Sequence, residues 1–297
     1  MSLGVSPIPD KTCNYRCVYC QLGRTTHFTN TRQEFFPHKT IFRELQASLH
    51  RIDKLDYITF VGEGEPTLYK KIGFLIKKTK EITSYPICVI TNSSLLHNKR
   101  VQKALKLVDV VLPTFDAGNK YLFRRINRPH NTIHFNQLVE GLQQFRKEFD
   151  NQIWIEIMLI KGVNDSPKIL EEIRTYLDHF HPDQVQINTP TRPPTEKWVQ
   201  APNEDVLRQA QVILEATTTL PLNEAGEINV SLFNTPEEAL SEITKRHPLR
   251  WEQALGIVAK LTDQSAEPIL QNLIASEQLR TFEYRGRLFV YRYKSKN

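Results

Sequence analysis

A chain of 297 residues with 40% hydrophobic side chains can build one large α/β domain and a small appendage. No apolar run approaches the ~20 residues of a membrane helix, and the opening residues lack the charged and apolar regions of a secretory signal. The expected location is therefore the cytoplasm, where thiols stay reduced. The formal charge of +6 suits an anionic partner such as nucleic acid or a phosphorylated substrate, without selecting one.

The first element is a short strand around Leu3 to Val5, cut off by Pro7 and Pro9. Residues 38 to 54 follow as a helix. Asp56-Tyr-Ile-Thr-Phe-Val is a β-rich run that ends in Gly62, Gly64 and Pro66, and residues 69 to 84 place Ile72, Leu75 and Ile76 at helical spacing. Strands are predicted at 86 to 91, 109 to 115, 153 to 160 and 184 to 188, with helices at 97 to 107, 132 to 149 and 166 to 180 between them. Near-continuous apolar strands separated by helices predict a parallel sheet covered on its outer face. Six strands give an α/β fold, a partial (β/α)6 TIM-like barrel, short of the eight that close a full one. Working residues of such folds lie at the C-terminal ends of strands. The polar exceptions fall there: Gly62-Glu-Gly-Glu-Pro, Thr91-Asn-Ser-Ser, Thr114-Phe-Asp and Asn188.

Pro190, Pro193, Pro194 and Pro202 make 190 to 202 irregular and end the barrel. The domain reading is 1–195 for the barrel, 196–235 for a linker or accessory segment with a helix at 203 to 216, and 236–297 for a separate module. Thr235-Pro-Glu-Glu opens a helix with an N-cap, a first-turn proline and two acids. Helices at 249 to 262 and 265 to 277 follow, then a hairpin turning at Arg285-Gly286. Three helices and a hairpin make a winged-helix-like domain. Arg280, Arg285, Arg287, Arg292, Lys294 and Lys296 stand there against Glu283, with Tyr284, Tyr291 and Tyr293 between them. Such a wing suits a phosphate backbone; protein docking, or an edge that deters sheet pairing, uses the same residues.

Three of the four cysteines stand in CNYRCVYC, residues 13 to 20, as Cys-x3-Cys-x2-Cys. In a reducing compartment such clusters are metal ligands rather than disulfides. Zinc prefers four protein ligands in a structural site, and His27 offers the fourth. A four-iron four-sulfur cluster also takes four thiolates as a rule, and three leave one iron open to an outside molecule. Cys88, between Ile87 and Val89, reads as a buried, inert thiol.

Tyr19 stands just before the last cysteine, and the motif resembles that of the radical S-adenosylmethionine (SAM) superfamily over roughly residues 1 to 195. The texture Cys-Val-Tyr-Cys-Gln-Leu-Gly-Arg-Thr, followed by Gly-Glu-Pro-Thr-Leu, is most similar to the wyosine-synthase-like branch with its uncharacterised bacterial relatives. The resemblance implies a [4Fe–4S] cluster on Cys13, Cys17 and Cys20 and chelation of the open iron by the amino and carboxylate groups of SAM. It implies cleavage to methionine and a 5′-deoxyadenosyl radical that takes hydrogen from a substrate, and a reductant such as flavodoxin or ferredoxin. The protein supplies binding and orientation while the cofactors carry the chemistry.

Glu63-Gly64-Glu65-Pro66 is similar to the family's Gly-Gly-Glu-Pro, which engages the SAM amino group; Glu63 replaces the first glycine. An ammonium needs carboxylate or carbonyl acceptors, and glycine permits close backbone approach; a plain strand-to-helix turn has the same residues. Thr91-Asn92-Ser93 resembles Thr-Asn-Gly, and Thr114-Phe-Asp116-Ala117 resembles Ser-Leu-Asp-Ala. Their polar groups suit ribose hydroxyls and the polar end of the methionyl group, or serve as loop caps. Met158-Leu-Ile-Lys-Gly-Val-Asn-Asp resembles the family's fifth strand and its turn, where Met158 either flanks adenine or packs in the core, and Asn188 completes the strand-end set. Arg124, Arg125, Arg128 and Arg192 are candidate ligands for a substrate phosphate or carboxylate.

The tRNA wyosine synthases, as a family, use a second cluster that this chain lacks the cysteines to build. This argues against their pyruvate-dependent ring closure here. The expectation is a one-cluster radical SAM enzyme acting on an unidentified substrate, for which RNA, tRNA first, is one candidate class. The alternatives are a small-molecule or protein substrate, or a cluster-containing redox or iron sensor that binds nucleic acid. A sensor needs no ammonium or ribose site.

Overall fold

In the computed structural model, which describes residues 1–52, 54–219 and 230–292, the strands β1 (Ser2–Val5), β2 (Tyr57–Phe60), β3 (Ile87–Thr91), β4 (Val110–Pro113), β5 (Gln152–Met158) and β6 (Gln184–Asn188) lie side by side in chain order. Each neighbouring pair is parallel. A two-residue strand, β7 (Thr218–Thr219), adds to the far edge and was not anticipated. The sheet belongs to the first of two compact units, Met1–Ala47 with Lys54–Leu222; the second is Ser48–Asp53 with Asn223–Asn297.

Side chains alternate across a strand, and the two faces of this sheet differ. Ile87, Val89, Ile153, Ile155 and Ile157 are at most 1% exposed. They match the buried rows of the crossover helices α1 (His38–Leu49), α2 (Ile72–Ile82), α3 (Lys99–Leu105), α4 (Lys120–Ile126), α5 (Phe135–Lys147) and α6 (Pro167–Phe180), with α7 (Glu204–Ile213) before the last strand. The inner rows are Leu75 and Ile76, then Leu138, Leu142 and Phe145, then Leu170, Ile173 and Leu177. The opposite face gathers Cys88, Val110 and Leu112 with Tyr57, Ile90 and Trp154. The Tyr57 and Trp154 rings meet edge to face at 5.9 Å. Cys88 is buried among these apolar groups, and burial pushes its thiol up to about 12.

The predicted helix at 38 to 54 stops at Leu49. Helix α4 was not foreseen. Asn119 caps it, accepting from the Tyr121 and Leu122 N–H groups at 3.1 and 3.0 Å, and Leu122, Phe123 and Ile126 are buried. Seven residues are too few for periodicity to show.

The second unit runs α8 (Pro236–Arg246), β8 (Leu249–Arg250), α9 (Trp251–Leu261), α10 (Ala266–Ala275), β9 (Leu279–Tyr284) and β10 (Arg287–Arg292). Thr235 caps α8 as expected, its hydroxyl accepting from Glu238 N–H at 3.2 Å. The helix predicted from 249 instead starts at Trp251, because Leu249 and Arg250 pair with Val290 and Phe289. The antiparallel sheet has the order β8-β10-β9. Arg285 and Gly286 both take positive φ, 53° and 69°, the backbone a two-residue hairpin needs to follow strand twist. Leu240, Leu249, Ala254, Val258, Leu270 and Val290 are fully buried and form the core. Lys294, Lys296, Tyr293 and residues 220–229 of the accessory segment lie outside the described residues.

Candidate active site

The cysteine loop leaves β1 and is held from several sides. Arg16 and Val18 donate backbone N–H groups to the Asn127 and Ile126 carbonyls at 3.0 and 2.9 Å, at the end of α4. Glu196 N–H donates to the Val18 carbonyl at 3.0 Å, and the Thr195 hydroxyl donates to the Cys20 carbonyl at 2.9 Å. Val18 is fully buried, and Tyr15 packs edge-on against Phe123 at 5.5 Å. These contacts explain why a segment with so little regular structure keeps one shape.

The loop meets the end of β2 through one close approach. Glu65 N–H donates to the Thr12 carbonyl at 3.1 Å. A Cβ on Gly64 would lie 1.7 Å from that carbonyl oxygen, so only glycine fits. Glu63 carries no such demand: its N–H donates to the Ser6 hydroxyl at 3.3 Å and its backbone is not left-handed. Ser93, where the family motif has glycine, does have positive φ, 69°. Its hydroxyl donates to the Thr114 carbonyl at 2.8 Å, which offsets part of the cost of that backbone.

Two buried carboxylates cross-brace the site. Glu65, 1% exposed, accepts from Thr67 N–H and hydroxyl, from the Thr91 hydroxyl at 2.7 Å, and from Asn92 N–H at 2.7 Å. Asp116, 2% exposed, accepts from the Tyr19 hydroxyl and Asn127 Nδ2, both at 2.6 Å, and from Met158 N–H at 2.8 Å. Burial raises both groups, Asp116 to about 6, against the lowering effect of these donors. The sequence reading turned both carboxylates toward SAM. The structure turns both inward, because a buried carboxylate takes the protein donors that are fixed around it. Glu65 ties β2 to β3, and Asp116 ties the β4 end to the cysteine loop and to β5.

Thr91 is buried in the Glu65 network, and Pro66 is buried in the turn that follows it. Asn92, Thr114 and Asn188 remain half-buried at the strand ends, and Met158 is buried beside them in register with Asn188. Asn14 and Asn127 were missed. Asn14 is fully buried; it donates to Ser94 Oγ at 2.8 Å and accepts from Asn92 Nδ2 at 2.7 Å. Its signal was its place directly after Cys13. Glu156 was missed too, although it is the one acid in an otherwise apolar strand.

Arg124 and Arg128 line a cavity of about 1110 Å³ with Arg16, Arg24, His130 and Cys17. Arg128 pairs with Glu196 on its wall, and the Arg16 guanidinium stacks on Phe28 at 4.0 Å. Arg125 is exposed and outside this wall, and Arg192 donates instead to Gln21 Oε1 at 2.9 Å.

Cys13, Cys17 and Cys20 are half-buried free thiols. N–H donors face their sulfurs: Tyr15 N–H at 3.3 Å and Asn92 Nδ2 at 3.6 Å on Cys13, and Asn127 Nδ2 at 3.7 Å on Cys17. Burial pushes all three thiols up, Cys13 to about 12, and the nearby Glu65 adds to that. Thiols so placed lose their protons to a metal, whose charge reverses the balance. Among the described residues no three His, Cys, Asp or Glu side chains are disposed to hold a single metal ion. His27 is exposed, its Nδ1 3.4 Å from the Thr12 hydroxyl. A cubane takes each thiolate on a separate iron, and N–H···S donors are what tune such clusters, so the donor set fits one.

A parallel partial barrel with a three-cysteine loop after its first strand defines a class, and residues 8–173 match the model of the Radical SAM superfamily. The chain belongs to that superfamily, whose enzymes use a [4Fe–4S] cluster and SAM. It is similar along nearly its whole length to a UPF0026 protein of Methanocaldococcus jannaschii, 30% identical over 97% of this chain and 91% of that one. A protein of Brachyspira hyodysenteriae named GTPase Obg is 34% identical over 94% of this chain, which spans only 41% of that protein. The present sequence has no Gly-x4-Gly-Lys phosphate loop. Ribosomal RNA large subunit methyltransferase N of Nitrosopumilus maritimus is 25% identical over 67% of this chain and 59% of its own. Among solved structures, a radical SAM methyltransferase from Sphaerobacter thermophilus (TM-score 0.59, 17% identity, 74% of this chain, 67% of that one) shares the fold. So do Streptococcus suis SuiB bound to precursor peptide SuiA (0.58, 17%, 74% and 48%) and TYW1 with a lysine-pyruvate adduct (0.51, 14%, 72% and 76%). No helix among the described residues is long and apolar enough to cross a membrane.

Proposed function

We propose that this protein is a one-cluster radical SAM enzyme that modifies RNA. Cys13, Cys17 and Cys20 would hold the cluster, and the polar strand ends would bind SAM. Gly64 and Pro66 offer backbone groups to its ammonium. Asn92, Thr114 and Asn188 face its polar parts, and Met158 flanks its adenine. When bound, the two groups supply one-electron cleavage of SAM and, with it, hydrogen-atom abstraction. Glu65 and Asp116 keep the loops in place and exclude water from the thiols, and Tyr19 links the last cysteine turn to Asp116.

The observation that carries the RNA reading is the arginine-lined cavity on the cysteine loop. Arg16, Arg24, Arg124 and Arg128 in one wall suit successive phosphates, which accept bidentate guanidinium contacts. Two further points support it. RNA methyltransferases are among the distant relatives. We read the second unit, with the element order α8-β8-α9-α10-β9-β10, as a winged-helix-like module that has Arg285, Arg287 and Arg292 on its hairpin. We read that hairpin as a wing on the RNA backbone.

The test is anaerobic reconstitution. Dithionite-reduced protein should form 5′-deoxyadenosine from SAM well above its Cys17→Ala variant, and RNA from the source cell should raise the yield. Equal yields from the two proteins would remove the enzyme reading. A yield indifferent to RNA, with RNA affinity unchanged between 50 and ~200 mM salt, would remove the RNA reading.

A further inference from the structure

Three carboxylates lie near the strand ends: Glu65 and Asp116 are buried, and Glu156 is half-buried. Glu65 and Asp116 are saturated by protein donors. Glu156 is not: the one hydrogen bond to its carboxylate comes from Asn188 Nδ2 at a long 3.3 Å. It sits on β5 between Trp154 and Met158, so alternation places it on the inner face with the Tyr57–Trp154 cluster and not with Ile155 and Ile157. In register it faces Gln186 on β6 and bridges to Thr114 on β4. That position is one step below Met158 and Asn188, which we assign to SAM. Its charge is close enough to bear on Tyr19, and the Asp116 charge in turn on Glu156.

A carboxylate is an acceptor with two oxygens and room for several donors. Among the described residues the one donor bonded to Glu156 is Asn188, and the half-buried side chain stays open on the inner face of the sheet. The missing donors fit a ligand. We propose that Glu156 reads the N–H edge of a nucleobase of the RNA substrate, holding that base on the inner face of the barrel beside SAM. This rests on the RNA reading above and gives it a specificity residue. A base drawn from its stack is recognised by hydrogen bonds to its pairing edge. Guanine presents two adjacent donors to a carboxylate, adenine and cytosine one amino group each. Uracil has a single N–H between two carbonyls that repel the charge. The order of preference is therefore guanine first and uracil last.

The experiment measures binding of GMP, AMP, CMP and UMP to the reconstituted, SAM-loaded protein by ligand-observed NMR, for wild type and Glu156→Gln. The substitution keeps the shape and replaces one acceptor oxygen by a donor. Wild type should bind GMP most tightly and UMP least, and Glu156→Gln should weaken GMP at least tenfold while changing UMP less than twofold. If the nucleotides bind but Glu156→Gln leaves the order intact, Glu156 is not the reader and the RNA reading stands. If wild type binds none of the four, the RNA reading falls and this inference with it. SAM affinity lost in step with GMP affinity would make Glu156 a SAM ligand and overturn the assignment.

Discussion

Removing the Glu65 carboxylate is the most direct probe of how the site is held. Glu65→Ala strands four donors in a dry place. The Thr67 and Thr91 hydroxyls can rotate to other acceptors, but the Thr67 and Asn92 N–H groups are fixed by the backbone. Each buried donor left without a partner costs about 1–3 kcal/mol, so the loss is about 2–5 kcal/mol after the relief of burying a charge is set against the lost hydroxyl contacts. For a unit of this size each kcal/mol moves the midpoint by about 2–4 °C, which predicts a fall of roughly 5–15 °C. Glu65→Gln keeps one acceptor oxygen and should lose about half as much. The assay is thermal unfolding followed by circular dichroism, paired with iron and sulfide content after reconstitution. A midpoint within about 1 °C of wild type, together with weakened SAM binding, would mean that the carboxylate meets SAM directly and would refute the brace.

Three further outcomes follow from the same geometry. Glu156 is raised to about 7, chiefly by burial and then by the Asp116 charge. The folded state then binds the extra proton between the ordinary glutamate value and pH 7, so stability falls as pH rises through that window, by up to about 3 kcal/mol. Urea unfolding should show Glu156→Gln more stable than wild type at pH 8 and equal to it near pH 4. Gly64→Ala must push Thr12 away from Glu65, and its iron content after reconstitution should fall below about a third of wild type. Ser93→Gly removes a left-handed backbone cost of about 1–2 kcal/mol and loses one hydrogen bond, whereas Ser93→Ala loses the bond and keeps the cost. In urea the glycine variant should be the more stable of the two by about 1–2 kcal/mol.

The barrel was readable because most of its strands are rich in apolar residues on consecutive positions. Runs such as Tyr57-Ile-Thr-Phe and Ile87-Cys-Val-Ile are mostly apolar on successive positions, which suits a covered parallel sheet. The short pieces were not readable. Thr218–Thr219 and Leu249–Arg250 are strands only because a partner edge is there to pair with, which no local pattern records. At the site, spacing marked the cysteines, Gly64 and the polar strand ends. It could not tell a carboxylate that meets a ligand from one that meets protein donors. Glu65 and Asp116 were legible as important residues but not as braces, since the distinction lies in distances across 26 and 42 positions of chain. Glu156 carried a signal of its own, a lone acid in an apolar strand. Its weight came only when the other two acids proved to be saturated.

The staples on the cysteine loop also set a timetable for synthesis. Cys13, Cys17 and Cys20 leave the ribosome early, but the Thr195 and Glu196 contacts that clamp the loop come roughly 175 residues later, about 10–35 s at ordinary elongation rates. Through that interval the three thiols hang from an unfinished barrel, without the Asn92 and Asn127 donors at first and without a lid after that. If the three cysteines hold the cluster as proposed, the full set of contacts around it exists only once the sixth strand and the loop beyond it are made.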